Sequence, residues 1–159
     1  MALTYYSGSD FNVHDSNLCI SDEIDQNTTS LILFYSVQCP HCKSMLQSFR
    51  ELINHVSGIN VGILNINKTD NKSVVMDSKY TKDTQIEYVP YILLFHNGKA
   101  IARYDDDENL QNLLNFINDT TQNLKQSFES EKDNTEILKP YRRKNLKRTV
   151  KRCYMNSDE

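Results

Sequence analysis

Residues 31–42 read LILFYSVQCPHC, and this stretch decides the fold predicted for the rest of the chain. Its first five residues are apolar without alternation, which is typical of a central strand buried on both faces. Pro40 favours the first turn of a helix, because its φ suits a helix and its missing N–H needs no partner there. Cys39 and Cys42 therefore stand two residues apart at a helix start. Such a pair can close and reopen a disulfide, so the stretch predicts a dithiol–disulfide exchange centre.

The residues that follow predict a helix and a second central strand. Apolar side chains recur at three- and four-residue steps, which indicates one apolar helix face that ends at Ser57-Gly58. Residues 59–66 alternate well enough to form a strand, and the strand–helix–strand order predicts a right-handed βαβ unit. A weaker helical pattern follows. The apolar positions of the first helix are Met45, Leu46, Phe49, Leu52, Ile53 and Val56, and those of the weaker pattern are Val74, Val75 and Tyr80.

The second half of the pattern contains a hairpin and a further helix. Val89-Pro90-Tyr91 leads into an apolar strand at 92–95, Asn97-Gly98 is a two-residue hairpin signal, and 99–104 reads as the return strand. The acids at 105–108 precede an amphipathic segment that extends to about residue 124. We expect them to complement the helix dipole and cap its N–H groups. The predicted order is β-α-β-α-β-β-α, an α/β fold with a central mixed sheet flanked by helices.

The first 30 residues carry weaker signals. Residues 1–10 predict no element, 11–13 predict a short edge strand, and 18–20 predict the start of a small helix. Residues 21–29 fit either a first helical turn or a loop, because they carry Ser and acids.

Composition bounds the class of protein. The chain has 159 residues, 38% hydrophobic and 25% charged, which suits one domain with a solvated appendage. No apolar run approaches the roughly 20 residues of a membrane span. The first ten residues lack the features of a signal peptide, so we expect a reducing, cytoplasmic setting and no classical secretion. The four Asn-x-Ser/Thr sites are then chance matches in an Asn-rich chain.

The C-terminal part has a different charge from the rest. The first 138 residues hold 10 Lys/Arg and 19 Asp/Glu, a formal net charge of −9. From Lys139 to Arg152 the sequence KPYRRKNLKRTVKR holds eight Lys/Arg and no acid. We predict a folded domain at 1–124 and a polar, basic, partly disordered extension at 125–159. The basic run could be a solvated tail, a contact with nucleic acid or an acidic partner, or a localisation signal.

Three segments together resemble the thioredoxin family: FYSVQCPHCKSM at 34–45, LNIN at 64–67 and VPYILLFHNGKAIARY at 89–104. The resemblance covers residues 5–124 and implies a thioredoxin-like fold and protein-disulfide oxidoreductase activity without a dissociable cofactor. It also implies a cis-proline at Pro90 that lies against the active-site sulfurs. The Asn-, Lys- and Ile-rich composition and the basic tail are similar to those of thioredoxin-like proteins of large DNA viruses, so a virion location is a second expectation.

Two departures from the family pattern concern the chemistry. Thioredoxin has Trp before its first active-site cysteine, and this chain has Gln38. Thioredoxin has a buried Asp that assists proton transfer, and the aligned residue is Leu33. The Pro40-His41 pair between the cysteines is that of the periplasmic dithiol-oxidase family. These departures leave the general-base role vacant and favour a more oxidising couple than that of thioredoxin.

The predicted roles follow from thiolate chemistry. We expect Cys39, at the helix N-terminus, to be the nucleophile that forms a mixed disulfide with protein substrates. Cys42, one turn in, resolves that disulfide. Pro40 and His41 tune the pKa and the reduction potential, because a stabilised thiolate makes the disulfide more oxidising. Val89 and Pro90 hold the substrate chain, and a redox partner of unstated identity completes the cycle.

Several alternatives stay open. A zinc site needs a second Cys/His pair at similar spacing, and the sequence has none, so no metal is expected. Cys19 is predicted to be a small buried hydrophobe. Cys153 is predicted to be an exposed tail cysteine without a catalytic role that could form mixed or intermolecular disulfides. His41 could also be a tolerated surface residue. A redox-inactive, thioredoxin-fold binding or structural protein is the alternative function.

Overall fold

The structure is a computed structural model that describes residues 2–130, 140–142 and 150–155. Within these residues three α-helices surround a mixed sheet, and a separate strand pair lies beside it. The helices are α1 (Pro40–Leu52), α2 (Lys72–Ser78) and α3 (Leu110–Ser130). The strands are β1 (Thr4–Tyr5), β2 (Phe11–His14), β3 (Asn17–Ile20), β4 (Thr29–Tyr35), β5 (Asn60–Asn65), β6 (Tyr88–Val89), β7 (Tyr91–His96), β8 (Lys99–Tyr104), β9 (Pro140–Tyr141) and β10 (Cys153–Tyr154).

The sheet places β4 at its centre, as the apolar run predicted. Its order is β1-β5-β4-β7-β8-β3-β2, and β9 pairs with β8. β4 runs parallel to β5 and antiparallel to β7. Ile32 and Phe34 pack into the apolar layer on one face, whereas Leu31 and Leu33 pack into the layer that α1 and α3 cover. Residues 31–34 of β4 are apolar without alternation and fully buried because both faces of the strand are covered, which confirms the predicted central strand.

Two turns confirm and correct the predicted boundaries. Asn97 and Gly98 both have positive φ, 52° and 78°, which suits the primed two-residue turn of the predicted hairpin. α1 ends at Leu52, one turn before the predicted end. After Leu52 the chain forms a tighter turn with hydrogen bonds between residues three apart. The N–H groups of Asn54 and His55 donate to the carbonyls of Glu51 and Leu52, respectively.

The prediction of a small helix at residues 18–20 was wrong. This segment is β3, which pairs antiparallel with β2 around a turn at Asp15 and Ser16. Both turn residues have positive φ. Glycine commonly marks such a conformation, but neither residue is glycine, so the turn was not recognisable from the sequence. Leu18 and Ile20 are buried against the sheet, so tertiary packing selects the strand. β2 is an edge strand, as expected for residues 11–13.

The predicted cap of α3 was assigned to the wrong residues. Asn109 caps the helix, because its Oδ1 accepts the N–H of Asn112 at 3.1 Å. Asp107 Oδ1 in turn accepts the Asn109 N–H at 3.1 Å. Asp105 and Asp106 are buried at the end of β8 instead of lying on the exposed first turn. Asp105 therefore serves a different contact, described below.

The described part of the predicted extension contacts the domain at two places. α3 continues past residue 124 to Ser130, and β9 then pairs in parallel with the end of β8. The Tyr141 ring packs 5.1 Å from Phe116, and its hydroxyl donates to Asp119 at 2.6 Å. Residues 131–139, 143–149 and 156–159 lie outside the described residues, and so does most of the predicted basic run. The domain boundary at residue 124 stays a prediction.

Among the described residues, no helix is both long and apolar enough to span a membrane.

Candidate active site

Cys39 stands at the junction between the central strand and α1. It has extended backbone angles, φ −94° and ψ 117°, and Pro40 is the first residue of the helix. The Cys42 N–H donates to the Cys39 carbonyl at 3.1 Å, which closes the first turn. The free N–H groups of such a turn favour negative charge beside it. The local sequence therefore delivers one sulfur to the helix start and the second sulfur one turn further in.

The loop before Cys39 is fixed by a side chain from a neighbouring strand end. Asn67 Oδ1 accepts the Ser36 hydroxyl at 2.7 Å and the Val37 N–H at 2.9 Å. The Ser36 hydroxyl also accepts the Gln38 N–H at 3.1 Å. Asn67 lies just after β5, which is hydrogen-bonded to β4, so adjacent strand ends place the two groups together. Sequence reasoning quoted Asn67 only as part of a matching segment and missed this role.

Cys42 is a buried thiol. Burial raises its pKa, and the Ser36 N–H, 3.5 Å from its sulfur, lowers the pKa by a smaller amount. The sulfur lies in the apolar layer that contains Phe34. Leu33, the residue aligned with the family's buried acid, lies in the layer on the other face. The position of the family's buried acid thus holds an apolar side chain that cannot accept or donate a proton.

The structure brings Cys39 against the segment that precedes Pro90. The Cys39 sulfur lies 3.8 Å from the carbonyl oxygen of Val89, and the Val89–Pro90 peptide bond is cis. Val89 is buried, and its strand β6 lies just before β7 in the chain. Five of the six predicted site residues, 39, 40, 41, 89 and 90, therefore meet at one end of β4, with Cys42 behind them.

A groove of about 190 Å³ opens beside these residues. Its lining includes Pro40, His41 and Pro90, the acids at 105–108 that follow β8, and the tail residues 150–152. His41 is partly exposed here, close enough to the groove to contact a bound chain. The groove is therefore a candidate substrate surface with both acidic and basic residues in its lining.

Cys39 forms a disulfide with Cys153, 114 residues away, and their Cα atoms are 6.0 Å apart. Cys42 and Cys19 are free and buried. The prediction for Cys19 is confirmed. The expectation that Cys153 is exposed was wrong, because Cys153 is partly buried and bonded to the predicted nucleophile.

Backbone pairing holds the tail cysteine in place. β10 runs antiparallel to β6, with Cys153 opposite Val89 and Tyr154 opposite Tyr88. The Met155 N–H extends the pairing by donating to the Glu87 carbonyl at 2.9 Å. The tail thus adds a strand to the edge of the segment that precedes Pro90.

Charged side chains complete the contact. Arg152 donates to the carboxylate of Asp105, and Arg142 donates to its other oxygen at 2.6 Å. Asp105 is 6% exposed and Arg152 17% exposed, so this pair is largely removed from water. The Arg152 guanidinium also lies 4.1 Å from the centre of the Tyr88 ring, within cation–π range. Sequence reasoning missed both residues, although the acidic body and basic tail were a signal for such a contact.

Within the described ranges, no three His, Cys, Asp or Glu side chains are grouped so that they could hold a metal ion.

The profile of the thioredoxin family matches residues 13–119. An uncharacterized protein of Invertebrate iridescent virus 3 is 29% identical over 101 residues, 61% of this chain and 58% of that protein. Protein disulfide-isomerase 1 of Caenorhabditis elegans is 26% identical over 116 residues, 72% of this chain and 22% of that protein. The chain thus spans less than two thirds of either relative. The crystal structure of Chlamydomonas reinhardtii thioredoxin f2 superposes with a TM-score of 0.51 at 20% identity, covering 75% of this chain and 96% of that one.

The chain belongs to the thioredoxin family, and its α/β sheet with flanking helices is the thioredoxin fold. Both expectations from the sequence are confirmed. Viral proteins are among its relatives.

Proposed function

We propose that this protein is a protein thiol–disulfide oxidoreductase that works through Cys39 and Cys42. The observation that carries the proposal is the sulfur of Cys39. It lies at a helix start, contacts the Val89 carbonyl beside Pro90, and is already bonded to another cysteine on a paired strand. Membership of the thioredoxin family supports the same activity.

The chemistry is two successive exchanges. The Cys39 thiolate attacks a substrate disulfide, forms a Cys39–substrate bond and releases the other substrate sulfur as a thiolate, which takes up a proton. Cys42 then loses its proton and attacks Cys39, which forms the Cys39–Cys42 disulfide and releases the second substrate thiol. The substrate disulfide gains two electrons, and the protein loses two. The reverse sequence oxidises a dithiol substrate.

The substrate chain is held beside Pro90 in this proposal. β6 ends at Val89, and its backbone pairs with the extended strand β10, so a substrate chain would bind this edge in place of β10. The acids in the lining of the groove then contact residues next to the substrate cysteine. Protein thiols and disulfides are the substrate class.

The Pro40-His41 pair and the absence of the buried acid favour a more oxidising couple than that of thioredoxin. Equilibration with glutathione redox buffers, followed by alkylation and mass spectrometry, measures the reduction potential of the Cys39–Cys42 pair. We expect a potential above the roughly −270 mV of thioredoxin. A value equal to that of thioredoxin would remove the oxidant part of the proposal and leave the oxidoreductase part intact.

Insulin reduction and oxidation of a dithiol peptide test the activity itself. We expect turnover by the wild-type chain and background rates for Cys39→Ser. Cys19→Ala is the matched control, because Cys19 is a buried free cysteine outside the site. Equal rates for wild type and Cys39→Ser would favour the second candidate, a redox-inactive binding protein. That candidate is supported by the Cys39–Cys153 disulfide, which occupies the nucleophile.

Nucleic-acid binding by the basic run is the sequence prediction with the least support. Arg142 and Arg152 both contact Asp105, so these two charges are engaged within the chain. DNA binding that weakens steeply with added salt is the expected signature of a phosphate contact. A cytoplasmic or virion location stays a prediction, which fractionation of expressing cells and purified particles tests.

A further inference from the structure

The tail strand β10 is an extended segment that pairs antiparallel with β6. An extended chain that adds to a sheet edge obtains its affinity from main-chain hydrogen bonds and its specificity from side-chain contacts. Cys153 lies opposite Val89, so the pairing register delivers its sulfur to Cys39. The groove beside Pro90 includes Arg152 among its lining residues.

The flanking residues of Cys153 also make specific contacts. Before it, Arg152 reaches the buried carboxylate of Asp105 and the face of the Tyr88 ring. After it, the Tyr154 ring packs edge-on against Tyr88, with ring centres 5.8 Å apart. Recognition of this strand thus uses a charge on one side of the cysteine and an aromatic ring on the other.

We propose that residues 152–154 bind as a substrate strand supplied by the same chain, and that Cys153 is a third redox-active cysteine. Cys153 and Cys42 alternate as the disulfide partner of Cys39. The inference rests on the proposed oxidoreductase function and deepens it. Oxidised protein therefore exists in two forms. The closed form holds the Cys39–Cys153 disulfide, and the open form holds the Cys39–Cys42 disulfide with the tail cysteine reduced.

The step between the two forms is balanced within the chain. The Cys42 thiol releases its proton, and the thiolate attacks the Cys39 sulfur. The Cys39–Cys42 bond forms as the Cys39–Cys153 bond breaks, and Cys153 leaves as a thiolate that takes up a proton. One disulfide is exchanged for another, so no external oxidant or reductant takes part.

Closing the tail excludes competing substrates. A cysteine tethered in the same chain has an effective concentration of about millimolar, which exceeds that of micromolar substrates. The strand also occupies the backbone edge of β6 that a substrate needs. A substrate competes best when it supplies the same contacts, namely a basic residue before its cysteine and an aromatic residue after it.

The first experiment maps the disulfides of the full chain in glutathione buffers. Free thiols are trapped by acid quench and alkylation, and linked peptides are identified by mass spectrometry. Wild type is expected to contain both disulfides, and Cys42→Ser only Cys39–Cys153. Arg152→Gln is expected to shift the wild-type ratio about tenfold toward the open form, because the variant loses the charged hydrogen bond to Asp105. Lys151→Gln is the matched control, because it removes a neighbouring charge from an exposed side chain.

The second experiment measures access to the site. Oxidised wild type and Cys153→Ser react with an Arg-Cys-Tyr peptide and a Glu-Cys-Tyr peptide at micromolar concentration. We expect Cys153→Ser to react on the order of tenfold faster, because the tethered competitor is gone. In Cys153→Ser the Arg peptide is expected to react faster than the Glu peptide. The ratio of these two rates is expected to fall when Asp105→Asn is added.

The outcomes separate this inference from the proposed function. Free alkylation of Cys153 at every glutathione ratio, while Cys39–Cys42 closes and insulin is reduced, overturns the inference and leaves the oxidoreductase intact. A Cys39–Cys153 bond that never converts to Cys39–Cys42 also overturns it, because the tail would then be a fixed crosslink. Failure of Cys39 to react with any disulfide, even in Cys153→Ser, overturns both.

Discussion

Cys39 is bonded to Cys153, and Cys42 is its proposed exchange partner; the two cysteines are brought to Cys39 by different means. Cys42 is one turn further along the same helix, where the spacing of the sequence fixes its place. Cys153 is 114 residues away and is positioned by strand pairing with β6 and by the contact between Arg152 and Asp105. The local partner is buried and free, whereas the distant one is partly buried and bonded. Local spacing thus places the proposed exchange partner, and long-range packing determines which cysteine is bonded to Cys39 in this structure.

Replacing Cys42 and Cys153 in turn is expected to have the largest effects, and it tests their separate roles. Cys42→Ser is expected to reduce insulin turnover to background, because the mixed disulfide with substrate is no longer resolved. Cys153→Ser is expected to retain turnover, since the local pair is intact. Insulin turbidity assays measure both. Retained turnover in Cys42→Ser would mean that Cys153, rather than Cys42, resolves the mixed disulfide.

Asp105→Asn tests the contact that holds the distant partner. Asp105 accepts from Arg142 and Arg152, and a hydrogen bond to a charged group contributes about 1.5–3 kcal/mol. We expect the ratio of closed to open oxidised protein to fall by about ten- to a hundredfold. Disulfide mapping in glutathione buffer measures the ratio.

Glu108→Gln is the control for that variant, because Glu108 is an exposed acid of the same predicted run. An equal shift in the two variants would mean that overall charge, rather than the buried carboxylate, holds the tail.

The pH dependence of exchange tests the local partner. Burial raises the pKa of the Cys42 thiol, so its thiolate fraction at neutral pH is smaller than that of an exposed thiol. The rate at which closed protein opens is therefore expected to rise about tenfold per pH unit and to keep rising beyond the ordinary thiol pKa of about 8.5. Acid-quenched alkylation follows the rate. A plateau at neutral pH would contradict the assigned direction of the shift.

The smallest expected effect concerns the aromatic contact of the tail. Tyr154→Ala removes the edge-on pair with Tyr88, which is worth about 0.5–1.5 kcal/mol in buried sites. Tyr154 is 70% exposed, so we expect a change of about threefold in the closed-to-open ratio. Tyr80→Ala, at a tyrosine that is 80% exposed, is the control. No change in Tyr154→Ala beyond that of Tyr80→Ala would assign the tail contact to its backbone and Arg152 alone.

Prediction from sequence worked where the signal is local. The apolar run of β4, the helix start at Pro40 and the Asn97-Gly98 turn each depend on neighbouring residues, and each was predicted correctly. The segment at 18–20 was assigned wrongly, because its strand depends on pairing with β2 and on burial against the sheet. The prediction that the acids before α3 cap this helix was wrong for a similar reason. Their composition suited a helix start, but Asp105 is used by residues from the C-terminal tail.

The sequence by itself determined the central strand, the helix start and the spacing of Cys39 and Cys42, because strand periodicity, helix capping and the Cys-x-x-Cys spacing act within a few residues. The thioredoxin fold and a cis-proline at Pro90 were implied by the resemblance of three segments to that family. Only the tertiary structure decided the partner of Cys39. Loop-closure entropy grows slowly with length, so residues separated by more than a hundred positions can pair when contacts repay that cost. Here the contacts are the β6–β10 backbone pairing and the buried Arg152–Asp105 pair. Spacing in the sequence cannot indicate such contacts, because they exist only once both strands are in place.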